Sequence, residues 1–349
     1  MHHSDSQPVR LLPGVPLIES PFFATMAPNL AWDAETQRIA LDLHAKGYAV
    51  FDFPDPALDQ KAAAIKRALH DQFDWAMWHD HGHRDGISLR AWDVWKQVPD
   101  VRAIATNAAV IELLSKLYGR LAWPFQTLNF PVGTQQHVHS DVVHFSSNPE
   151  RFMCGVWVAL EDITPDNGPL VYYPGSHKWP IYTNEHIGYC VSDHAHKPSQ
   201  AIYEAMWAEL VKANHAKPEY FTCKAGQGLI WAANLLHGGS HQLDKNKTRW
   251  SQVTHYYFEG CAYYTPMWSD PFDGLVYFRE PIDIATGERR ASQYAGHRVA
   301  ENFIADSRNG HFAFDADLYL AANPDVAAAG MPALEHYLRH GKHEKRPLR

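Results

Sequence analysis

From about residue 121 the chain breaks into short apolar and aromatic runs punctuated by turns, and this constrains its fold more than any other feature. The runs are "WPFQTLNFPVG", "RFMCGVWVALED", "GPLVYYPGSH", "YFTCKAGQGLIWAANLLHGG" and "RWSQVTHYYFEG". Turn signals such as P-V-G, P-D-N-G, P-G-S and K-A-G-Q-G separate them. Many short strands without helices between them predict a sandwich or barrel in a jelly-roll arrangement. Residues 181 to 218 interrupt the series. They are polar and histidine-rich, with one helical stretch, "SQAIYEAMWAELVKA". Such an insertion commonly lies over a pocket mouth.

The flanks read differently. Residues 1 to 33 are proline-rich and read as an arm lying on the domain. "DAETQRIALDLHAKGYAVFDFPD" predicts a helix starting at Asp33, with Ile39, Ala40 and Leu43 on one face and a stop at Gly47. A short strand, "YAVFDF", follows. "PALDQKAAAIKRALHDQF" predicts a second helix, with Leu58, Ala62, Ile65 and Leu69 on one face. "AVIELLSKLYG" predicts a third. Residues 311–349 are alanine-rich and helical, broken at Asn323-Pro324 and Gly330. The expected fold is therefore mainly β with flanking helices: a double-stranded β-helix (jelly-roll) core over about 121–262 within a domain spanning 1–310, N-terminal helices, and a small helical C-terminal module at 311–349.

Charge and cysteine usage narrow the partners. A formal net charge of -8 and a pI near 6.3 argue against a nucleic-acid partner, which needs a basic face, yet leave room for a local basic pocket. Cys154, Cys190, Cys223 and Cys261 are well separated, with no C-x-x-C pair. They form neither a disulfide framework nor a cysteine zinc site, which suits reduced thiols in the cytoplasm. The N-terminus lacks a basic region followed by an apolar run. No stretch approaches the ~20 apolar residues of a membrane helix. A soluble, cytoplasmic protein with a small-molecule substrate and no nucleic-acid or membrane partner is expected; nothing in the sequence bears on its oligomeric state.

With 23 histidines, abundance points nowhere and spacing has to carry a metal site. In "HVHSDVVH" (137–144), His139 and Asp141 have H-x-D spacing, which on a strand puts both on one side. The best third ligand is His237 in "LIWAANLLHGG", at the end of an apolar run that reads as a buried strand. Two imidazoles and a carboxylate on one face of an octahedron suit Fe(II) and leave three positions open. A 2-oxo acid can fill two of these and O2 the third. The far carboxylate of such an acid needs a fixed cation. Arg249 begins "RWSQVTHYYF", and a hairpin between it and His237 would bring the two side by side. The planar fork of arginine holds a carboxylate bidentately. His137 would give an H-x-H pair instead, better suited to zinc or a cupin-like site. His137, His144 and His241 read as lying near the substrate or hydrogen-bonded behind the ligands. A cupin-like isomerase and a non-catalytic binding protein are the competing functions on the same fold.

"VWVALEDITPDNGPLVYYPGSHK" (156–178), together with "HSD", "HGG" and "RWS", resembles the phytanoyl-CoA dioxygenase family of Fe(II)- and 2-oxoglutarate-dependent oxygenases, over roughly residues 35 to 260. The resemblance implies Fe(II), 2-oxoglutarate as cosubstrate, and O2. It implies His139, Asp141 and His237 as iron ligands, Arg249 as the cosubstrate clamp and Trp157 in the cosubstrate pocket. Ser251, two past Arg249, could add a hydroxyl, and Arg90 could be a second basic contact. Many members carry a polar residue where this chain has Gly239, which makes Gln126 and Thr127 alternative contacts. The implied reaction releases succinate and CO2 and hydroxylates an unactivated C–H bond. Relatives that halogenate lack the carboxylate, and this chain keeps Asp141. The segment 75–95, including Arg84, and the insertion at 181–218 are expected to line the pocket and favour a polar or aromatic ligand. The C-terminal pattern Y-L-x-x-N-P-D-V resembles a module of bacterial proteins often found near carbohydrate-handling domains; here it reads as a terminal cap.

Overall fold

The computed structural model describes residues 11–81, 89–189, 191, 200–271, 275–308, 316–341, 344, 346 and 347. Arg84 and Cys190 lie outside the described residues, as does the histidine-rich stretch 192–199. The predicted helices form where their caps place them. Asp33 accepts the Thr36 N–H at 2.9 Å and starts the helix Ala34–Lys46, which Gly47 ends in the left-handed conformation. Helices Leu58–Leu69 and Ala108–Tyr118 follow, the latter capped by Asn107 and stopped at Gly119.

Eleven strands position the site: β1 Tyr48–Asp52, β2 Ala91–Trp92, β3 Ala122–Phe130, β4 Ser146–Asn148, β5 Met153–Ala159, β6 Leu170–Tyr172, β7 Glu219–Phe221, β8 Gln227–Ala232, β9 His237–Gly239, β10 Ser251–Phe258 and β11 Ala262–Tyr264. The large sheet runs β1-β8-β5-β10-β3-β2 and is antiparallel throughout. A small antiparallel sheet runs β7-β6-β9, and β4 pairs with β11.

Strand alternation gives the large sheet two buried faces. One carries Leu128, Phe130, Trp157, Leu229, Trp231 and Val253, packed against Leu170, Tyr172 and Phe221 of the small sheet. The two sheets thus face each other across a shared core. The other face carries Val156, Val158, Ile230 and Tyr256 and packs on the helices through Ile39, Leu43, Ile65, Val101 and Leu114. Each such side chain contributes on the order of 1.5–3 kcal/mol on burial. No helix among the described residues is long and apolar enough to cross a membrane.

Two expectations need correction. The apolar run before His237 is not one strand. β8 ends at Ala232, the chain turns through residues 233–236, and His237 opens β9 in the opposite sheet. His237 and Arg249 are therefore not hairpin neighbours. Residues 240–248 carry the chain back to the large sheet, where Arg249 N–H bonds the Pro131 carbonyl at 2.8 Å.

The C-terminal stretch forms short helices, Ala316–Ala322, Pro324–Ala329 and Ala333–His336, around its own small core of Tyr319, Val326 and Ala333. Asn323 of its motif ties the module together. Asn323 Nδ2 donates to the Tyr319 and Pro347 carbonyls at 2.9 and 2.8 Å.

Candidate metal centre

His139 and His237 meet by backbone pairing. Each donates its N–H to the other's carbonyl, at 2.9 and 3.0 Å, so a chain segment outside any long strand extends β9. The two glycines after His237 permit this approach. A Cβ on Gly238 would stand 2.7 Å from the Gln136 carbonyl oxygen, and one on Gly239 2.1 Å from Thr134 Oγ1. Asp141 follows at the start of a 3-10 turn, Asp141–Val143, rather than on a strand.

The side chains converge. Nε2 of His139 is 3.7 Å from Asp141 Oδ1, and Nε2 of His237 is 3.8 Å from Oδ2. One ligand atom from each of the three residues lies within 4.8 Å of the others. Both imidazoles have Nδ1 hydrogen-bonded to a backbone carbonyl two residues upstream, His137 and Leu235, at 2.9 Å. A carbonyl only accepts, so each Nδ1 carries the proton and each Nε2 presents a lone pair toward the shared centre. Burial disfavours charge on His139 and His237 adds to that, holding His139 at about 3 and hence neutral. Burial would raise the carboxylate of Asp141, but His237, His255, His139 and the Trp231 indole outweigh it and bring it down to about 2. Two imidazole nitrogens and an ionised carboxylate are the donor set a ferrous ion takes in a facial triad.

These ligands line a cavity of about 340 Å³ that also holds Arg249. Arg249 is fully buried, and among the described residues its Nε and Nη1 have no hydrogen-bond partner, while Nη2 reaches the Val132 carbonyl at 3.4 Å. Its guanidinium stands 5.6 Å from the Trp157 ring and 5.9 Å from Phe130. Burial lowers it to about 10, still charged at neutral pH. A buried cation with open donors in a cavity wall calls for an anion. The far carboxylate of 2-oxoglutarate fits that requirement, and the triad fits iron.

The remaining residues sort by strand face. Gln126, Trp157 and Arg90 line the cavity; Gln126 Oε1 stands 3.0 Å from His255 Nδ1. His144 also lines it, with Nε2 2.8 Å from Gln200 Oε1 at the start of the insertion's helix Ala201–Ala213. Four other expected contacts lie off the cavity wall. Thr127 sits between Gln126 and Leu128 and faces the helices. Ser251 shares the cavity-side face, paired with Phe130 and Ala159, but is sealed off from the wall. His137 is exposed and serves through its carbonyl, and His241 is exposed and off the wall.

Sequence reasoning missed His255, Arg279, Thr265 and Trp268, all of which line the cavity. His255 Nε2 is 3.7 Å from Asp141 Oδ2, and burial holds it at about 4. The signal for His255 was present: counting by twos from Arg249 passes Val253 and reaches it. The others come from the segment after β11, where no strand pattern marks a face.

Comparison with known proteins gives concordant findings. The family model described as phytanoyl-CoA dioxygenase (PhyH) matches residues 33–248, more than half of the chain. A Caenorhabditis elegans protein described as a probable phytanoyl-CoA dioxygenase is 41% identical over 54 residues, which is 15% of this chain and 17% of that protein's own length. The fold is similar to that of the non-heme alpha ketoglutarate dependent carbocyclase SnoK from nogalamycin biosynthesis, with a TM-score of 0.50, 15% identity, and coverage of 68% of this chain and 87% of that one. It is equally similar to the epimerase SnoN, solved with Fe3+, alpha ketoglutarate and nogalamycin RO, with a TM-score of 0.50, 17% identity, and coverage of 77% and 97%.

Proposed function

Because the chain belongs to the phytanoyl-CoA dioxygenase family, we propose that it is an Fe(II)- and 2-oxoglutarate-dependent dioxygenase that hydroxylates an unactivated C–H bond of a small molecule, releasing succinate and CO2. The core is read as a double-stranded β-helix, supported by two facing antiparallel sheets with the triad between them. The observation that carries the reading is the fully buried guanidinium of Arg249, with Nε and Nη1 open, in the same cavity as His139, Asp141 and His237. Iron with its 2-oxo acid supplies the oxidising power when bound. The protein's part is to hold both. His139, Asp141 and His237 would hold the metal, Arg249 would receive the far carboxylate, and the Trp157 ring packs beside that arginine. Iron, 2-oxoglutarate and O2 are the cofactors of this reading.

Hydroxylation is favoured by Asp141, which leaves no vacancy for a halide among the protein ligands. Two proteins of similar fold are a carbocyclase and an epimerase, so the outcome has to be measured. The protein is loaded anaerobically with Fe(II) and 2-oxoglutarate, and the visible charge-transfer band of the chelated 2-oxo acid is recorded. Candidate substrates are then scored by succinate release under 18O2. One 18O atom in the organic product is expected. Succinate release with an unlabelled, cyclised or epimerised product would refute hydroxylation. Absence of the band would refute the oxygenase reading and favour a cupin-like isomerase or a binding protein.

A further inference from the structure

Arg279 stands in the wall of this cavity outside every role assigned so far. Its backbone N–H is tied to the Tyr263 carbonyl at 2.8 Å, beside β11. Its guanidinium lies over Phe145, 4.7 Å from the ring centroid. Nη1 reaches two neutral oxygens, the His144 carbonyl and Thr265 Oγ1, each at 3.4 Å, the long end of hydrogen bonding. Nε is buried and has no partner among the described residues. No carboxylate of the described residues forms an ion pair with it. Asp93 is near enough to feel its charge, but that side chain's Oδ1 accepts the Thr127 N–H at 2.9 Å. A guanidinium held this way has donors to spare and no anion to receive them.

The rest of the wall is consistent. Among the described residues Asp141 is the one carboxylate in the wall, and it is matched to the metal. Arg249 is matched to the cosubstrate. That leaves Arg279 as positive charge facing whatever else enters. Arg90 rests 5.5 Å over Trp92, and Trp268 adds another apolar surface. A cavity of about 340 Å³ is at the small end of ligand sites and must also admit 2-oxoglutarate.

Building on the oxygenase reading above, we propose that the substrate is a compact organic acid, its carboxylate held by the Arg279 fork and its carbon skeleton lying against Phe145 and Trp268. The fork matches two carboxylate oxygens, and the stacked ring keeps the guanidinium planar and aimed. A neutral isostere would leave the Arg279 donors unmet, so the acid should be selected strongly over its amide.

The test uses the full chain loaded anaerobically with Fe(II) and 2-oxoglutarate, and a panel of aliphatic and aromatic carboxylic acids of three to ten carbons, each paired with its primary amide. Binding is read from tryptophan fluorescence, since Trp92, Trp157, Trp231 and Trp268 all line the cavity, and from shifts of the charge-transfer band. At least one acid is expected to bind tenfold or more tightly than its amide. Arg279→Leu should weaken that acid at least tenfold, leave its amide unchanged, and leave the Kd for 2-oxoglutarate within twofold. Arg279→Lys should fall between, which guards against a fold defect. Amides binding as well as acids, no acid binding at all, or an Arg279→Leu effect confined to 2-oxoglutarate would each overturn the proposal. If the charge-transfer band never forms in the unaltered protein, the oxygenase reading itself fails and takes this inference with it. A normal band with indifferent acids sinks only the inference.

Discussion

Trp231 and Asp141 are joined by a single hydrogen bond, indole Nε1–H to carboxylate Oδ2 at 2.8 Å, between two buried side chains. Trp231 lies on β8 opposite Gly155 of β5, and a Cβ at position 155 would stand 2.1 Å from the indole. The absent side chain of Gly155 is thus what lets the ring cross the sheet to the carboxylate. With Oδ2 held by the indole, Oδ1 is turned toward His139.

Trp231→Phe should keep the packing and lose the donor. A partner behind a metal ligand is typically worth 10- to 100-fold in metal affinity, and a loss in that range is expected in anaerobic Fe(II) titration. Gly155→Ala should act through the same indole by displacing it, with a stability cost of about 1–3 kcal/mol in denaturant unfolding. Full iron affinity in Trp231→Phe would show that the hydrogen bond does not orient Asp141.

Arg249→Ala should raise the Kd for 2-oxoglutarate at least about 100-fold, since it removes two charge-assisted hydrogen bonds at roughly 1.5–3 kcal/mol each. Arg249→Lys keeps the charge without the fork and should recover only part of this. Iron binding without cosubstrate should be nearly unchanged in both. The band from the chelated 2-oxo acid, titrated with 2-oxoglutarate, measures it.

The sequence carried the two halves of the centre because each rests on local chemistry. H-x-D spacing and an apolar H-G-G are short, and Arg249 stands two residues ahead of β10, a strand whose period is visible. It did not carry how the halves meet. His237 pairs with His139 across a long stretch of chain, and His237 lies in the small sheet while Arg249 leads into β10 of the large one; both are decided by tertiary packing rather than by spacing. Thr127 shows the limit at one residue: its neighbour Gln126 reaches the cavity, and only the register with β10 tells the two apart. The helices were easier, since Asp33, Gly47, Asn107 and Gly119 mark their own ends.

Acid should destabilise the metal-free protein, and the sign follows from its histidines. Burial holds His139 at about 3 and His177 and His255 at about 4, against about 6.5 in an unfolded chain. Below pH 6.5 the unfolded state takes up protons that the folded state refuses, so stability is full above that pH and falls down to about pH 4 and on toward 3. Asp141, lowered to about 2 after burial is outweighed by its histidine neighbours, adds a loss of the same sign between about pH 4 and 2. Unfolding followed from pH 7.5 to 4 should show this decline. His255→Leu should flatten it by up to ~1.4 kcal/mol per pH unit. An unchanged slope would mean that His255 is protonated in the folded state.

The turn Pro174-Gly175-Ser176-His177-Lys178, the most recognisable part of the sequence, acts by holding backbone. Ser176 Oγ accepts the Leu236 N–H at 2.9 Å and donates to the Tyr173 carbonyl at 2.7 Å, while Tyr173 N–H bonds the Leu236 carbonyl at 3.0 Å. Asn234 Nδ2 donates to the Trp179 carbonyl at 2.8 Å. The turn therefore grips residues 234–236, the segment that delivers His237 to the metal. Ser176→Ala strands a buried N–H next to that ligand and should cost about 1–3 kcal/mol in unfolding. Iron affinity should fall with it, and cosubstrate affinity of the iron-loaded protein should not. Equilibrium denaturation and Fe(II) titration of the same preparation decide the matter. Undiminished stability alongside impaired turnover would give Ser176 a chemical role instead of a scaffolding one.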